Sequence, residues 1–257
     1  MNSYKKTART KISTYSNLID TTNHIHGSVS NIKFLKSTIL NKTLPYKVYL
    51  PPIEDISKKL PVLYINDGFQ YMNKGSLHNI LDSLIIAKEI KPIMAVFLEP
   101  KDSTQNNRNV RQELFISNPF FVDFFTQELI PQIEKNYPAS PNKEDRTILG
   151  VSFGGLAALY LADKAPYTFK NIAMQSPAFH PYQNIYNAYA RKPKKDFNLF
   201  MSYGTGKDTN WQVIPMIRIL KRKKYDLTVV RVKNGNHDWK TWKKQLVGIM
   251  LNYYRLH

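Results

Sequence analysis

Thr147-Ile148-Leu149-Gly150-Val151-Ser152-Phe153-Gly154-Gly155-Leu156-Ala157-Ala158-Leu159-Tyr160 carries an apolar strand into G-x-S-x-G and straight on into a helix. A serine hydroxyl is a poor nucleophile at neutral pH. Chemistry that uses one must hold it exposed beside a base, and a sharp strand-to-helix turn does so. Gly150 and Gly154 leave room for that turn, so Ser152 can adopt strained backbone angles while strand and helix pass closely. The helix N-terminus behind it favours developing negative charge. G-x-S-x-G alone is a weak signal, since a glycine-rich helix N-cap reads the same way. The strand before it and the helix after it, with small Gly155 and Ala157, make Ser152 the candidate nucleophile.

Upstream, Leu60 to Asn66 is a short apolar run of the kind buried in a parallel sheet, and it ends at Asp67-Gly68-Phe69. Val29 to Leu40 reads as a first strand and Leu44 to Leu50 as its partner, closed by Pro51-Pro52. Ser76 to Ile90 has helical spacing, Pro92 to Leu98 is another strand, and Glu99 to Arg111 is a polar loop without periodicity. Asn118-Pro119 opens a helix that runs to Tyr137, with a kink or break expected at Pro131. Downstream, strands Phe169 to Gln175, Phe197 to Tyr203 and Asp226 to Val232 alternate with helices Trp211 to Lys224 and Asp238 to Tyr254. The alternation predicts an α/β class: a mostly parallel central sheet flanked by helices on both faces. Only Ser176 to Asp196 separates the strand after the turn helix from the next, too little for a lid domain. Residues 1–27 read as a flexible or loosely attached segment and 28–257 as a single domain.

Lys+Arg 37 against Asp+Glu 19 gives a net charge of +18. An anionic partner is one reading and a solvated lysine-rich surface is the other, because the lysines are spread over the whole chain. Neither a zinc-finger spacing nor an RNP-like motif is present, so nucleic acid is not the expected partner. The chain has no cysteine, which excludes disulfides, thiolate nucleophiles and Cys-ligated zinc. The N-terminal residues lack an apolar signal core and no run reaches membrane-spanning length; the expectation is a cytoplasmic protein without a membrane partner.

The partners of Ser152 belong at the C-terminal ends of later strands, where open α/β sheets place their sites. Gly204-Thr205-Gly206-Lys207-Asp208 follows one such strand and Asn234-Gly235-Asn236-His237-Asp238-Trp239 the last. In the order Ser, Asp, His, His237 is the candidate general base and Asp208 the group that orients it. His237 could instead cap the final helix, and Asp208 could serve a glycine-rich Asx turn. Asp238 reads as an N-cap. Phe179-His180-Pro181-Tyr182, with Tyr186 and Tyr189, offers either aromatic faces to a ligand or a helix side packed on the sheet.

With these residues in hand, about residues 45 to 254 resemble the esterase family of α/β-hydrolases, within it the enterochelin-esterase-like branch that cleaves siderophore esters. The resemblance rests on Leu63-Tyr64-Ile65-Asn66-Asp67-Gly68, on Glu128 to Tyr137, on Gly150 to Leu156, and on Gly235-Asn236-His237-Asp238-Trp239 with Trp242. It implies an α/β-hydrolase fold, acyl-enzyme chemistry without metal or organic cofactor, and an oxyanion hole made by the backbone amides of Phe69 and Phe153. It further implies a small-molecule ester substrate, anionic, with a ferric catecholate trilactone preferred. Related members cleave aryl or acyl esters or S-formylglutathione. Glu99-Pro100-Lys101-Asp102 and the arginines Arg108 and Arg111 before Glu113 resemble the branch's anion-binding element. The spacing departs from its Arg-x-x-Glu-Leu, and Arg111, then Arg108 and Lys101, are the expected substrate contacts.

Overall fold

The computed structural model describes residues 26–52 and 58–256. Of the segment 1–27 expected to be loosely attached, residues 1–25 lie outside the described residues; Gly27 donates its N–H to Asp82 Oδ1 at 2.9 Å.

The chain begins with β1 (Ser28–Val29), β2 (Lys33–Ser37) and β3 (Lys42–Leu50). The single strand expected over Val29 to Leu40 is therefore two short ones, and both pair antiparallel with β3. Next come β4 (Val62–Ile65), α1 (Gly68–Asn73), α2 (Leu77–Ile86) and β5 (Met94–Leu98). The polar stretch expected to be plain loop holds a small antiparallel hairpin, β6 (Lys101–Asp102) with β7 (Arg108–Asn109), and runs into helix α3 (Arg111–Phe115). Two-residue strands and a one-turn helix are too short to leave a periodic signal.

The helix opened by Pro119 runs as α4 (Pro119–Asp123), a π-helical segment Phe124–Leu129, and α5 (Ile130–Asn136). Asn118 caps it by accepting the Phe120 N–H. Pro131 has no N–H to donate and its ring crowds the carbonyl one turn back. The expected break takes the form of a wider turn just ahead of it, in which Ile130 N–H reaches Phe125 O.

The second half is β8 (Arg146–Val151), α6 (Phe153–Lys164), β9 (Asn171–Gln175), α7 (Asn184–Arg191), β10 (Asn198–Gly204), α8 (Asn210–Arg222), β11 (Asp226–Val232), α9 (Trp239–Lys243) and α10 (Leu246–Tyr254). The final helix is thus two, and Asp238 caps the first by accepting the Thr241 N–H. No lid domain stands between β9 and β10: that stretch is a 3-10 turn and α7, which packs Ile185 and Tyr189 into the core. Phe179 is buried with them. Among the described residues no helix is long and apolar enough to cross a membrane.

The sheet runs β1-β3-β5-β4-β8-β9-β10-β11, with β2 also beside β3, and from β5 to β11 every neighbouring pair is parallel. β4 alternates its side chains between two cores, Val62 and Tyr64 on one face, Leu63 and Ile65 on the other. The first face is covered by the π segment, α5, α6, α7 and α8; the second by α1, α2, α9 and α10. Strand order reverses between β4 and β8, so the loops after these two strands open a crevice at their C-terminal ends.

Candidate active site

Ser152 sits at the turn from β8 into α6 with φ 56° and ψ −120°. That conformation is costly for a residue with a Cβ and persists only where the surroundings impose it. Gly150 is part of that imposition: a Cβ there would lie 2.1 Å from the carbonyl oxygen of Gly154, so only glycine lets the helix fold back over its strand.

Three side chains from three loops meet here. Ser152 Oγ lies 2.9 Å from His237 Nε2, and His237 Nδ1 lies 2.7 Å from Asp208 Oδ1. Asp208 Oδ2 accepts the hydroxyl of Ser176 at 2.7 Å and the N–H of Gly204. Burial raises the Asp208 pKa, but these bonds from His237, Gly204 and Ser176 outweigh it and hold the carboxyl below its ordinary range. An ionised Asp208 only accepts hydrogen bonds. The proton of neutral His237 therefore rests on Nδ1, leaving Nε2 free to accept from Ser152. The arrangement can take a proton from a serine hydroxyl and stabilise the resulting imidazolium.

Ser176 and Trp242 complete the support. Trp242 donates its indole N–H to Ser176 Oγ at 2.9 Å and stands edge-on to the His237 ring, with centroids 4.9 Å apart. Gln175 extends the network inward, accepting the Tyr71 hydroxyl and donating to Trp242 O and Gln245. Neither Ser176 nor Gln175 stands out in the sequence. Their only signal is a pair of polar residues at the end of a buried strand.

The two amides expected to form an oxyanion hole lie in the first turns of α1 and α6. Phe153 N is the first helical amide after Ser152. Phe69 N–H is engaged: it donates to Glu99 Oε2 at 3.3 Å, and Glu99 is buried with Lys101 Nζ 3.5 Å from its other oxygen.

Arg111 is committed to the protein. Its Nε donates to Asp67 Oδ1 at 2.6 Å, its Nη2 to Asp67 Oδ2 at 2.8 Å and to Val151 O at 3.1 Å, and its guanidinium stacks near the rings of Phe115 and Phe153. Burial raises the Asp67 pKa and Arg111 opposes it. Arg108 bonds Gln105 and lies 3.3 Å from Glu113, and Lys101 is turned to Glu99. The cleft at Ser152, about 330 Å³, is lined besides the triad by Phe153, Ala178, His180, Lys207, Thr209 and Gln212. The cations expected to meet substrate are not among its lining, and Lys207 is. A larger concavity, about 640 Å³, lies over Arg108 to Glu113. It is walled by one stretch of chain that holds none of Ser152, Asp208 and His237, so the smaller cleft is the one adjoining them. Among the described residues no group of three or more His, Asp or Glu side chains is placed to hold a metal ion.

The model of the family described as "Putative esterase" matches residues 37–253. The uncharacterized protein YjcH of Bacillus subtilis is 30% identical over 152 residues, 59% of this chain and 62% of its own. The iron(III) enterobactin esterase of Dickeya dadantii is 24% identical over 231 residues, 82% of this chain and 52% of its own. The chain thus spans less than two thirds of these curated relatives. A solved ferulic acid esterase superposes with a TM-score of 0.77 at 20% identity, covering 89% of this chain and 97% of that one. At that identity the likeness shows a shared fold, and the chain has the α/β-hydrolase fold.

Proposed function

This chain belongs to that esterase family, and from that premise we propose that it is a serine carboxylic-ester hydrolase working through an acyl-enzyme. The observation that carries the proposal is the unbroken hydrogen-bonded line Ser152–His237–Asp208 on a strained strand-to-helix turn. Ser152 Oγ attacks the ester carbonyl while His237 Nε2 takes its proton, and Asp208 holds the imidazolium. The oxyanion of the tetrahedral intermediate is received by the amides of Phe153 and Phe69, the latter exchanging its long bond to Glu99 for the new acceptor. One such donor is worth about 3 kcal/mol at the transition state. Collapse breaks the ester bond, and the leaving alcohol receives the proton from His237. Water, deprotonated by the same histidine, then releases the acid and restores Ser152.

For substrate we propose a catecholate trilactone siderophore or its ferric complex, hydrolysed in the cytoplasm to release iron; the Dickeya relative is named an iron(III) enterobactin esterase. The iron is cargo of the substrate. The open cleft without a lid suits a bulky ester, and Arg108 and Lys101, each about half exposed, add attraction for an anion at longer range. A second reading, an aryl ester of the feruloyl kind, is suggested by the name of a sequence relative, the endo-1,4-beta-xylanase/feruloyl esterase of Xylanibacter ruminicola, which matches over 86% of this chain.

The test compares hydrolysis of a tricatecholate trilactone, iron-free and ferric, with methyl ferulate and p-nitrophenyl butyrate, using wild type and Ser152→Ala. Faster turnover of the trilactone, lost in Ser152→Ala, supports the first substrate. Preference for the ferulate supports the second. Full activity in Ser152→Ala overturns the mechanism.

A further inference from the structure

In the cleft at Ser152 the Asp208 carboxylate and the Gln212 carbonyl oxygen are engaged within the protein, while two lining donors have no acceptor among the described residues. Asp208 Oδ1 is taken by His237, and Oδ2 by Ser176 and Gly204. Gln212 is 4% exposed, and its Oε1 accepts the His180 N–H at 2.6 Å. That bond fixes the amide so that its Nε2, which has no acceptor among the described residues, is the end left for a ligand. Lys207 has no carboxylate partner among the described residues, unlike Arg108, Lys101 and Arg111. Its main chain is clamped on both sides: its N–H donates to Asn236 Oδ1 and its carbonyl accepts the His237 N–H, each at 2.9 Å. The ammonium is therefore carried on a backbone held in register with the catalytic histidine. The thirteen-residue α8 also begins here, after Thr209, with no side-chain cap on its first amides. Its positive end adds to the same field.

Resting on the esterase reading, we infer that Lys207 and the buried amide of Gln212 form an anion-recognising subsite beside Ser152. It selects esters that bear an oxyanion of their own, a carboxylate being the simplest. The selectivity expected of Arg108 and Arg111 thus resides on the opposite loop, the one that carries Asp208.

Kinetics on paired esters test this. Mono-4-nitrophenyl glutarate, with a carboxylate on the acyl side, is compared with 4-nitrophenyl valerate; 4-carboxyphenyl butyrate, with the carboxylate on the leaving group, is compared with phenyl butyrate. Wild type, Lys207→Gln and Lys207→Glu are used. Lys207 meets its neighbours through its main chain, so the substitutions leave those contacts in place. The expected result is a higher kcat/KM for at least one anionic ester than for its neutral partner, a ratio that falls about tenfold on charge reversal, mainly through KM. The favoured pair tells which part of the ester lies against α8. No preference for either anionic ester, or a preference that survives Lys207→Glu, overturns the subsite. Absence of any ester turnover by wild type counts against the esterase reading alone. The subsite is then decided by calorimetric titration of mono-4-nitrophenyl glutarate into Ser152→Ala: binding abolished by adding Lys207→Glu supports it, and absent or unaltered binding overturns it.

Discussion

Arg111 grips both carboxylate oxygens of Asp67, at 2.6 and 2.8 Å, and with the same Nη2 reaches the carbonyl of Val151 at 3.1 Å. One guanidinium thereby ties the turn after β4, which presents the Phe69 amide, to the residue before Ser152. Asp67 is fully buried with φ 58°, so its charge and its backbone both depend on this grip.

Arg111→Ala leaves an uncompensated buried carboxylate, and about 3–5 kcal/mol of stability is lost. Arg111→Lys recovers only part, because an ammonium cannot supply two parallel donors. In the folded fraction kcat falls more than KM rises, since the loss is in the alignment of the two amides proposed to hold the oxyanion, those of Phe69 and Phe153. Urea unfolding with steady-state kinetics checks both. Unchanged stability with a selective rise in KM would mean that Arg111 meets the substrate directly.

Ser152→Ala lowers kcat on any ester by roughly 10⁴-fold or more, and Asp208→Asn by about 10³- to 10⁴-fold, with the fold retained. Ser176→Ala removes one of the hydrogen bonds that aim Asp208, worth about tenfold in kcat. Trp242→Phe removes the donor that aims Ser176 and shares the same direction with a smaller effect. Single-turnover rates separate these losses from binding; a Ser176→Ala enzyme at full kcat would show that Gly204 and His237 suffice.

Glu99 gives a stability prediction with a defined sign. Burial raises its pKa, Lys101 lowers it, Asp67 raises it again, and the balance lies above the ordinary value. The folded protein then holds that proton more tightly than the unfolded chain. This contribution is fully present below the unfolded value of about 4.3 and is lost as pH rises through the raised folded value. Glu99→Gln keeps an acceptor for the Phe69 N–H and removes the titration. It is more stable than wild type at pH 8, and the difference vanishes at pH 4. Urea midpoints at the two pH values decide it.

Two glycines separate tight from open backbone. Gly150→Ala places a methyl 2.1 Å from Gly154 O, which cannot move without unmaking the turn, and costs more than about 3 kcal/mol together with all activity. Gly248, inside α10, has no atom within 4 Å of an added Cβ. Gly248→Ala stabilises by about 0.5–1 kcal/mol through helix propensity alone, read as a higher Tm.

The strand runs were legible because burial on both faces of a parallel sheet demands continuous apolar segments, as Met94–Leu98 and Asn171–Gln175 show. Asp226 to Val232 matches its strand at both ends. Short elements are not legible in this way: α1, α3 and the β6–β7 hairpin are held by contacts with distant segments and carry little pattern of their own. The split of Val29 to Leu40 into two strands likewise follows from their pairing with separate parts of β3.

By itself the sequence determined the strand-turn-helix around Ser152, the alternation that builds the sheet, and the chain order in which an aspartate and a histidine follow. All of these are local: glycine spacing, apolar periodicity and position after a strand. Tertiary structure alone decided the partners. Arg111 meets Asp67 across 44 residues, Trp242 meets Ser176 across 66, and the His237 N–H donates to the Lys207 carbonyl. A charged side chain's role depends on which opposite charge the fold delivers within hydrogen-bond reach. The arginine that reads as a ligand contact in the chain is held by Asp67 in the folded protein, and Lys207, beside Asp208, is among the residues that line the cleft.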